Sequence, residues 1–224
     1  MNTQKDAFLE YEGDNWFRRN QEALRSNPED DVALRVMKEY SVSPRNVFEI
    51  GCSTGYRLDA IASAFENVQV TGLEPSGEAI RYGKEHYPRV HFIKGTADDM
   101  VELPSQSFDV VIIGFVLYVI DRELLLKVIA ETDRLLSDGG LLMIIDFFSE
   151  KPIRNSYDHI KDRQAFAFKQ NYHEIFMASH LYHLIDRRTM DHSRKGYDLS
   201  GDFYDKYALT TLKKDLCAGY HQRT

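Results

Sequence analysis

The sequence predicts an α/β protein built on a doubly wound, mostly parallel sheet. Strand-like and helix-like segments alternate from residue 46 to residue 147, and this βαβαβ order is typical of parallel sheets with right-handed crossovers. Phe108–Phe115 and Leu141–Phe147 are continuous apolar runs, as expected for strands buried on both faces. In such sheets ligands bind beyond the carboxyl ends of the strands, near the topological switch point.

Short apolar segments separated by turn residues mark the strands. The last two predicted strands, at residues 181–188 and 207–213, follow the parallel region, and an antiparallel hairpin between them would complete the sheet. The predicted strands are Asn46–Gly51, Val68–Glu74, Val90–Lys94, Phe108–Phe115, Leu141–Phe147, Leu181–Arg188 and Tyr207–Lys213.

Helices are expected between these strands, where apolar residues recur at helical spacing. Ser76 is the expected N-cap of one helix and Asp121 the expected N-cap of another. The small and polar residues 137–140, SDGG, are expected to end the helix that Asp121 begins. The predicted helices that have clear limits are Gly55–Phe65, Ser76–Tyr87 and Tyr172–Ala178.

The N-terminal forty residues are also expected to be helical. Asn27-Pro28 is interpreted as an N-cap followed by proline at the first helical position, and Ser43-Pro44 ends the segment. Residues 1–43 therefore form a helical segment that precedes a domain at residues 44–224.

Composition restricts the classes of function. The formal net charge of −7 over 224 residues argues against nucleic acid, whose binding depends on clustered Lys and Arg. No apolar run approaches the roughly 18 residues of a membrane span, and the start MNTQKDAFLE lacks the features of a signal peptide. Cys52 and Cys217 indicate no disulfide framework, so a reducing cytoplasm is the simplest location. A homodimer is left open.

The stretch FEIGCSTGYRL at residues 48–58 predicts a strand that turns tightly into a helix. A dinucleotide-binding turn has the pattern G-x-G-x-x-G. Here Gly51 is followed by Ser53 and Tyr56 at the other two glycine positions, so the spacing does not suit a pyrophosphate. The alternative is a glycine turn with a structural role only.

Two carboxylates flank this turn. Glu74 ends the second predicted strand, 74 − 51 = 23 residues after Gly51, where an acidic side chain can accept hydrogen bonds from ribose hydroxyls. The alternative interpretation of Glu74 is a solvated carboxylate at the end of a strand, with no ligand. Glu49 stands inside a buried strand and is costly unless paired, and a cationic ligand, a sulfonium or an ammonium, would compensate it.

Five segments in this order resemble the motifs of class I S-adenosylmethionine-dependent methyltransferases. The resemblance covers residues 46–147, and it implies a Rossmann-like sheet of seven strands, mostly parallel, with an antiparallel last strand. It also implies S-adenosylmethionine as the cofactor. The five segments are FEIGCSTGYRL, VTGLEPS, GTADDM, FDVVIIGFVLYVI and LLSDGGLLMIIDF.

The resemblance implies roles for residues at the strand ends. The glycine turn would approach the methionine part and the adenosine, Glu74 would hold the ribose, and the Gly114 carbonyl would receive the amino group. Two positions depart from the family pattern: Ser53 replaces a frequent glycine, and Thr96 replaces a frequent aspartate. The implied cofactor-binding residues are Glu49, Gly51, Ser53, Gly55, Glu74, Pro75, Ala97, Asp98, Gly114, Phe115 and Tyr118.

Three flanking stretches, FLEYEGDNWFRRN, SYDHIKDRQAFAFKQNYHEIF and YHLIDRRTMDHS, are similar to bacterial methyltransferases from gene clusters for cell-surface saccharides and other small molecules. In those enzymes the N-terminal segment is a lid, and an insert, here at about 149–180, shapes the acceptor pocket. Phe8 and Phe17 would belong to the lid. The alternative is that these aromatics only dock a helix onto the core. The residues expected to contact the acceptor are Tyr11, Trp16 and His173.

A general base would assist transfer to a hydroxyl, and three residues are candidates. His159 lies in the polar stretch SYDHIKD after the fifth strand, and histidine titrates in the useful range. Asp146 ends the fifth strand, and Tyr172 is the third candidate. It is equally possible that His159 is an ordinary surface histidine and that Asp146 only caps a turn.

A metal is not expected. His180 and His183 have a spacing that can share a helix face, but zinc takes three or four protein ligands and no Cys or Glu cluster completes the set. Gly114-Phe115 stands where magnesium-dependent catechol methyltransferases would place a carboxylate.

These observations favour a methyltransferase that acts on a small molecule, most simply at a hydroxyl of a saccharide or related biosynthetic intermediate. A nicotinamide-dependent oxidoreductase or epimerase is one alternative, and the missing G-x-G-x-x-G disfavours it. A non-catalytic cofactor-binding subunit is another. A nucleic-acid methyltransferase is disfavoured by the charge and by the absence of a proline-aromatic tetrapeptide after the fourth strand.

Overall fold

The computed structural model describes residues 3–22, 30–191, 206–217 and 219–220. Its strands fall in two sheets, one of seven strands and one of two. The strands are β1 (Asn46–Ile50), β2 (Gln69–Glu74), β3 (Val90–Lys94), β4 (Phe108–Gly114), β5 (Leu136–Phe147), β6 (Ile153–Ser156), β7 (Phe166–Lys169), β8 (Tyr182–Asp191) and β9 (Lys206–Lys214).

The helices lie between these strands and before the first one. A π-helical stretch, Phe8–Glu12, connects the first two helices, and a 3₁₀ turn, Leu117–Val119, follows β4. The α-helices are α1 (Gln4–Ala7), α2 (Gly13–Asn20), α3 (Val32–Glu39), α4 (Tyr56–Ala64), α5 (Gly77–His86), α6 (Leu125–Leu135) and α7 (His173–Met177).

The large sheet has the order β3-β2-β1-β4-β5-β9-β8. β1 pairs in parallel with β2 on one side and with β4 on the other, so the topological switch point lies between β1 and β4. β9, the last strand of the chain, runs antiparallel to both β5 and β8. The predicted seven-stranded, mostly parallel sheet with an antiparallel last strand is therefore confirmed.

Apolar side chains cover both faces of this sheet. One cluster joins the inward faces of α3, α4 and α5 to the sheet, and Leu58 and Ile61 are fully buried in it. The cluster on the opposite face joins α6 and α7 to the sheet, and there the Phe48 ring stacks on that of Phe108 at 4.8 Å. Burial on both faces explains why the central strands have continuous apolar sequences.

A third apolar cluster lies beyond the carboxyl ends of the strands. It joins Ala7 of α1 to Tyr118 and Val119 of the 3₁₀ turn and to Tyr157 and Ile160 of the segment after β5. The N-terminal helices therefore pack over the edge of the sheet where a parallel sheet binds ligands.

Some helix ends differ from the predictions. The Asp121 carboxylate does not cap α6; it accepts the backbone N–H groups of Gln4 (3.3 Å) and Lys5 (2.9 Å) and so holds the start of α1. α3 begins after Asp31, whose side chain accepts the Leu34 N–H at 3.0 Å. The predicted cap Asn27-Pro28 lies outside the described residues.

Two strand predictions also need correction. The fifth strand was expected to begin at Leu141, but β5 already begins at Leu136 and pairs with Phe108 before a register shift near Val110. The helix before it ends at Leu135, one residue before SDGG, as expected. The antiparallel hairpin of β6 and β7, within the predicted insert, was not expected from the sequence. The predicted strands near the C-terminus and the helix near residue 172 are confirmed with small shifts at their ends.

Gly83 of α5 is expected to resist substitution because of close packing. A Cβ atom there would lie 2.4 Å from Phe92 Cζ and 2.5 Å from the Thr54 carbonyl oxygen. Gly83→Ala should therefore lower the free energy of unfolding by about 1–3 kcal/mol, although alanine is the better helix former by about 1 kcal/mol. Urea denaturation measures the change.

Gly77 of the same helix provides the matched control. The nearest atom to a Cβ there is Lys94 Nζ at 3.5 Å, so Gly77→Ala should leave the free energy of unfolding unchanged or raise it. Equal effects of the two substitutions would contradict the packing argument.

Candidate functional site

A cavity opens at the carboxyl ends of β1, β2 and β4 and extends to the N-terminal helices. It contains about 850 Å³ of empty space, its mouth included. Ten of the residues proposed from the sequence line it: Trp16, Gly51, Ser53, Glu74, Pro75, Ala97, Asp98, Gly114, Phe115 and Tyr118.

The turn after β1 forms one wall of the cavity. Gly51 and Gly55 have φ values of 77° and 78°, and Ser53 has 49°, so the chain enters the left-handed region three times. A Cβ on Gly51 would lie 2.3 Å from Val116 Cγ2 and 3.0 Å from the Gly114 carbonyl oxygen. Only glycine therefore fits at Gly51 without a shift of the neighbouring loop.

Glu74 stands at the end of β2, with only 8% of its surface exposed. One carboxylate oxygen accepts the Ser53 N–H at 2.9 Å and the other accepts the Ser76 N–H at 2.9 Å. Burial raises the pKa of Glu74 to about 7, although the two backbone hydrogen bonds oppose that shift. A carboxylate oxygen has two lone pairs, so each oxygen can accept one further hydrogen bond from a ligand.

Ser53 offers a polar group beside this carboxylate. Within the part of the chain that the structure describes, its buried Oγ has no hydrogen-bond partner. Buried hydroxyls are normally hydrogen-bonded. Together with the acceptor capacity of Glu74, this hydroxyl fits a polar, hydroxyl-bearing ligand such as the ribose of a nucleoside.

Glu49 is paired with a cation from within the chain. It is 1% exposed and does not line the cavity. The Arg57 guanidinium hydrogen-bonds to Glu49 Oε1 and donates from Nε to Asp31 at 2.8 Å. Burial raises the pKa of Glu49 to about 7, and Arg57 opposes that shift. Arg57 thus supplies a cation for one Glu49 oxygen from within the chain, while Glu49 Oε2 is buried with no hydrogen-bond partner among the described residues.

The Glu49–Arg57 pair supports the cavity from below. A Cβ on Gly114 would lie 3.1 Å from both Glu49 Oε1 and Arg57 Nη1. The pair thus packs directly under Gly114, at the end of β4, and holds the strand ends on both sides of the switch point.

Asp98 connects the cavity to the first helix. Its carboxylate forms a salt bridge with Lys5 at 2.7 Å and is 3.8 Å from the Lys127 ammonium. Burial raises the pKa of Asp98, but hydrogen bonds from Lys5 and Thr96 outweigh it and leave the pKa below its usual value. Thr96, which departs from the family pattern, therefore acts on the same carboxylate.

The three candidate bases lie outside the cavity lining. The Asp146 carboxylate accepts the N–H groups of Leu117 at 2.8 Å and of Phe147 at 2.8 Å, so it fixes the 3₁₀ turn. Tyr172 is buried, with its hydroxyl 2.8 Å from the Phe168 carbonyl oxygen. His159 is exposed, and its ring lies 5.3 Å from that of Tyr157.

Three more proposed residues have other surroundings. The Tyr11 hydroxyl hydrogen-bonds to Asp162 on the exposed side of the segment after β5. His173 lines a smaller cavity that also contains Asp146, and burial lowers the pKa of this histidine. Gly55 is the N-cap of α4 and faces the Phe92 ring. The surroundings of these side chains depend on tertiary packing, so sequence position alone could not locate them.

Sequence reasoning missed a buried polar group beside the cavity. Glu12, in the π-helical stretch, is 0% exposed and accepts hydrogen bonds from the Tyr157 hydroxyl at 2.9 Å and from Arg19 Nη2 at 2.5 Å. The sequence shows Glu12 within EYEGD, an ordinary polar run. Only the π-helical turn, which has no clear sequence signal, points this side chain inward.

Two further features concern the described residues alone. No group of three or more His, Cys, Asp or Glu side chains that could hold a metal ion occurs among them. None of the described helices is long and apolar enough to span a bilayer.

Residues 47–140 match the family described as a methyltransferase domain. Ubiquinone/menaquinone biosynthesis C-methyltransferase UbiE of Campylobacter jejuni is 29% identical over 119 residues, which cover 50% of this chain and 49% of that protein. The chain thus spans about half the length of the curated relatives it matches.

Solved structures extend the similarity to nearly the whole chain. The 1,6-didemethyltoxoflavin-N1-methyltransferase of Burkholderia thailandensis, with its substrate and S-adenosylhomocysteine bound, aligns with a TM-score of 0.66 at 16% identity over 95% of this chain and 87% of its own. The N-methyltransferase NodS of Bradyrhizobium japonicum, with S-adenosylhomocysteine bound, aligns with a TM-score of 0.61 at 17% identity over 94% and 98%.

The sheet order and the solved structures identify the fold as that of class I S-adenosylmethionine-dependent methyltransferases. Within this chain, residues 47–140 carry the similarity to a methyltransferase domain.

The Arg57 pair should be essential for stability. Arg57→Met would leave the Glu49 and Asp31 carboxylates buried without their cation, which should lower the free energy of unfolding by about 3–5 kcal/mol. Urea denaturation at neutral pH measures the loss. Arg18→Met is the control. The Arg18 side chain is 55% exposed, so its ion pair with Glu78 should contribute little to the free energy of unfolding. A small loss for Arg57→Met would contradict the account of this cluster.

Proposed function

We propose that the chain transfers the methyl group of S-adenosylmethionine to a hydroxyl of a small, uncharged acceptor. One observation carries the proposal: in a single cavity, the glycine turn and the Glu74 carboxylate face an aromatic wall that includes Trp16 and Tyr118. The side with the glycine turn and Glu74 suits an adenosyl cofactor, and the aromatic wall suits packing against a ring of the acceptor.

The residues that would hold the cofactor are those at the strand ends. Glu74 would accept hydrogen bonds from the ribose hydroxyls, with Ser53 and Pro75 beside it. Ala97 and Asp98 would contact the adenine edge, and the Gly114 carbonyl the amino group, with Phe115 nearby. Gly51 would let the backbone approach closely, and Glu49 would support the turn. When bound, S-adenosylmethionine supplies a methyl group on a sulfonium.

The chain's own contribution is alignment and exclusion of water. Correct alignment of two reactants can lower a barrier by about 7–11 kcal/mol. We propose that residues 1–43 act as a lid on a methyltransferase domain at 44–224. The Lys5–Asp98 bridge and the hydrogen bond from Ser76 Oγ to Asp14, at 2.6 Å, tie this segment to the strand ends in a closed position.

The cavity lining favours an acceptor without a phosphate. Among the described lining residues Lys5 is the cation, and Asp98 already neutralises it, whereas Glu74 and Asp121 add negative charge. A saccharide ring or another hydroxylated ring satisfies these conditions, but a sugar nucleotide does not.

Methyl transfer to a ring carbon is a second candidate. The relative in Campylobacter jejuni is named as a C-methyltransferase of quinone biosynthesis, and the aromatic wall also suits a planar acceptor. The product separates the two candidates, because hydriodic acid removes the methyl group of an ether but leaves a C-methyl group on the ring, so the masses differ after this treatment.

Glu74 is expected to control cofactor affinity and its pH dependence. The carboxylate form accepts hydrogen bonds from ribose, and the pKa of Glu74 is about 7. Affinity for S-adenosylhomocysteine should therefore rise from pH 6 to pH 8 and level off at higher pH. Glu74→Gln should raise the dissociation constant at least tenfold at pH 8 and remove this rise. Isothermal titration calorimetry measures both.

Glu85→Ala is the control for both measurements. Glu85 is exposed on α5, so this variant should bind S-adenosylhomocysteine with wild-type affinity. Thermal unfolding checks that both variants are folded. Wild-type affinity in Glu74→Gln would remove the ribose assignment.

Turnover is tested with methyl-labelled S-adenosylmethionine and a panel of hydroxylated acceptors. Neutral saccharides, phenols and sugar nucleotides form its three groups. We expect labelled product from a neutral acceptor and none from the sugar nucleotides, because the cavity has no free cation among its described lining residues. Labelling confined to sugar nucleotides would contradict the acceptor proposal, and binding of the cofactor without product from any acceptor would favour a non-catalytic role.

A further inference from the structure

A groove lies at the other end of the large sheet from the cavity that would hold the cofactor. It opens between the end of α3 and the first halves of β4 and β5, and β8 and β9 form its third side. Its free volume is about 450 Å³, which lies within the range of small-molecule sites, about 300–1,000 Å³. None of the described residues that line it also lines the cofactor cavity, so the groove is independent of the proposed function.

The walls of the groove are apolar and adaptable. Tyr40, directly after α3, and Ile185 of β8 stand at its rim, with 49% and 38% of their surfaces exposed. Met37 and Met143 form part of the floor and are fully buried, and methionine side chains adjust readily to the shape of a neighbour. The groove therefore suits a flat apolar group such as an aromatic ring.

A buried hydroxyl in the floor lacks a partner. Thr211 of β9 is 1% exposed, and its Oγ1 forms no hydrogen bond with any residue that the structure describes. Side chains alternate along a strand, so Thr211 and Lys213 share the face toward the groove, whereas Thr210 lines the smaller cavity on the opposite face. Because buried hydroxyls are normally hydrogen-bonded, a ligand that bonds to Thr211 would satisfy this group.

The charge that the groove offers to a ligand is positive. Lys213 is exposed and forms no ion pair within residues 3–22, 30–191, 206–217 and 219–220. Asp109 also lines the groove, but its carboxylate accepts the N–H groups of Arg45 at 2.9 Å and of Asn46 at 3.0 Å. The Arg45 side chain lies 3.7 Å from the same carboxylate. The Lys213 ammonium therefore remains for an anionic ligand.

A carboxylate can use Thr211 and Lys213 together. Positions two residues apart on one face of a strand lie about 7 Å apart, and the flexible lysine stem spans that distance. The two oxygens of a carboxylate only accept hydrogen bonds. One oxygen can thus accept from the Thr211 hydroxyl while the other accepts from the Lys213 ammonium.

The size of the groove favours a small molecule over a second protein chain. Fourteen described residues line it, whereas a stable protein interface uses about 20–30 residues on each side. The neighbouring edge strand β8 also has a register shift between Leu184 and Asp186. Such irregularities protect the edge of a sheet from pairing with another chain.

We propose that this groove is a second ligand site and that it binds an aromatic carboxylate. Thr211 and Lys213 hold the carboxylate group, and Tyr40 and Ile185 flank the ring. The site lies near the amino ends of β4 and β5, away from the strand ends at which methyl transfer would occur.

2-Naphthoate is the probe that tests the site. It is added to the full chain with saturating S-adenosylhomocysteine, so that the cofactor part of the other cavity is filled. Isothermal titration calorimetry should show one saturable site with a dissociation constant below about 1 mM. 2-Naphthamide has the same ring without the charge and should bind at least about threefold more weakly.

Two substitutions test the polar groups. Thr211→Val nearly keeps the shape of the side chain and should raise the dissociation constant of 2-naphthoate at least about fivefold, because a hydrogen bond is lost. It also removes an unpartnered buried hydroxyl, so the variant should unfold at the same temperature as the wild type or a higher one. Lys213→Met should raise the dissociation constant of 2-naphthoate at least about threefold and leave that of 2-naphthamide unchanged.

Thr210→Val and Lys151→Met are the matched controls. Thr210 is the neighbouring threonine on the opposite face of β9, and Lys151 is an exposed lysine in the segment after β5. Both variants should bind 2-naphthoate with wild-type affinity.

Several results would overturn the proposal. Without saturable binding of 2-naphthoate to the wild type below about 1 mM, there is no such site. Unchanged affinity in a folded Thr211→Val or Lys213→Met variant would place the probe elsewhere. A lower unfolding temperature of Thr211→Val would show that the hydroxyl is already bonded within the protein. A dimer in sedimentation equilibrium that dissociates on addition of 2-naphthoate would show that a second copy of the chain occupies the groove.

Discussion

The Glu74 carboxylate joins the turn after β1 to the turn after β2 through the N–H groups of Ser53 and Ser76. Because β1 and β2 are neighbours in a parallel sheet, these turns lie at the same edge and one side chain can reach both. Gly51 brings the backbone within contact of Val116 on the other side of the switch point. The cavity keeps its shape because these contacts hold its three strand ends together.

Buried charge supports the same edge from inside. Arg57 pairs with both Glu49 and Asp31, and the cluster packs under Gly114. A chain that places such groups beneath its binding cavity needs all of them together, since a single unpaired member would be strongly destabilising. The polar interior thus restricts how the strand ends can move when a ligand binds.

Much of the fold could be predicted from the sequence, because the central strands are buried on both faces and their apolar runs are continuous. The cavity wall at the strand ends could be predicted for the same reason: strand ends fix Gly51, Glu74 and Gly114. The wall made by the N-terminal helices and the segment after β5 could not be placed. Glu12 turns inward through a π-helical turn, and Asp121 caps a helix more than a hundred residues earlier, so neither contact has a local signal.

A crystal structure of the protein with S-adenosylhomocysteine tests the central claim most directly. If the turns after β1 and β2 form the cofactor site, both ribose hydroxyls should lie about 2.5–3.0 Å from the Glu74 carboxylate oxygens, with the adenine beside Ala97 and Asp98. A ribose bound away from Glu74, or a nucleoside bound outside this cavity, would contradict it.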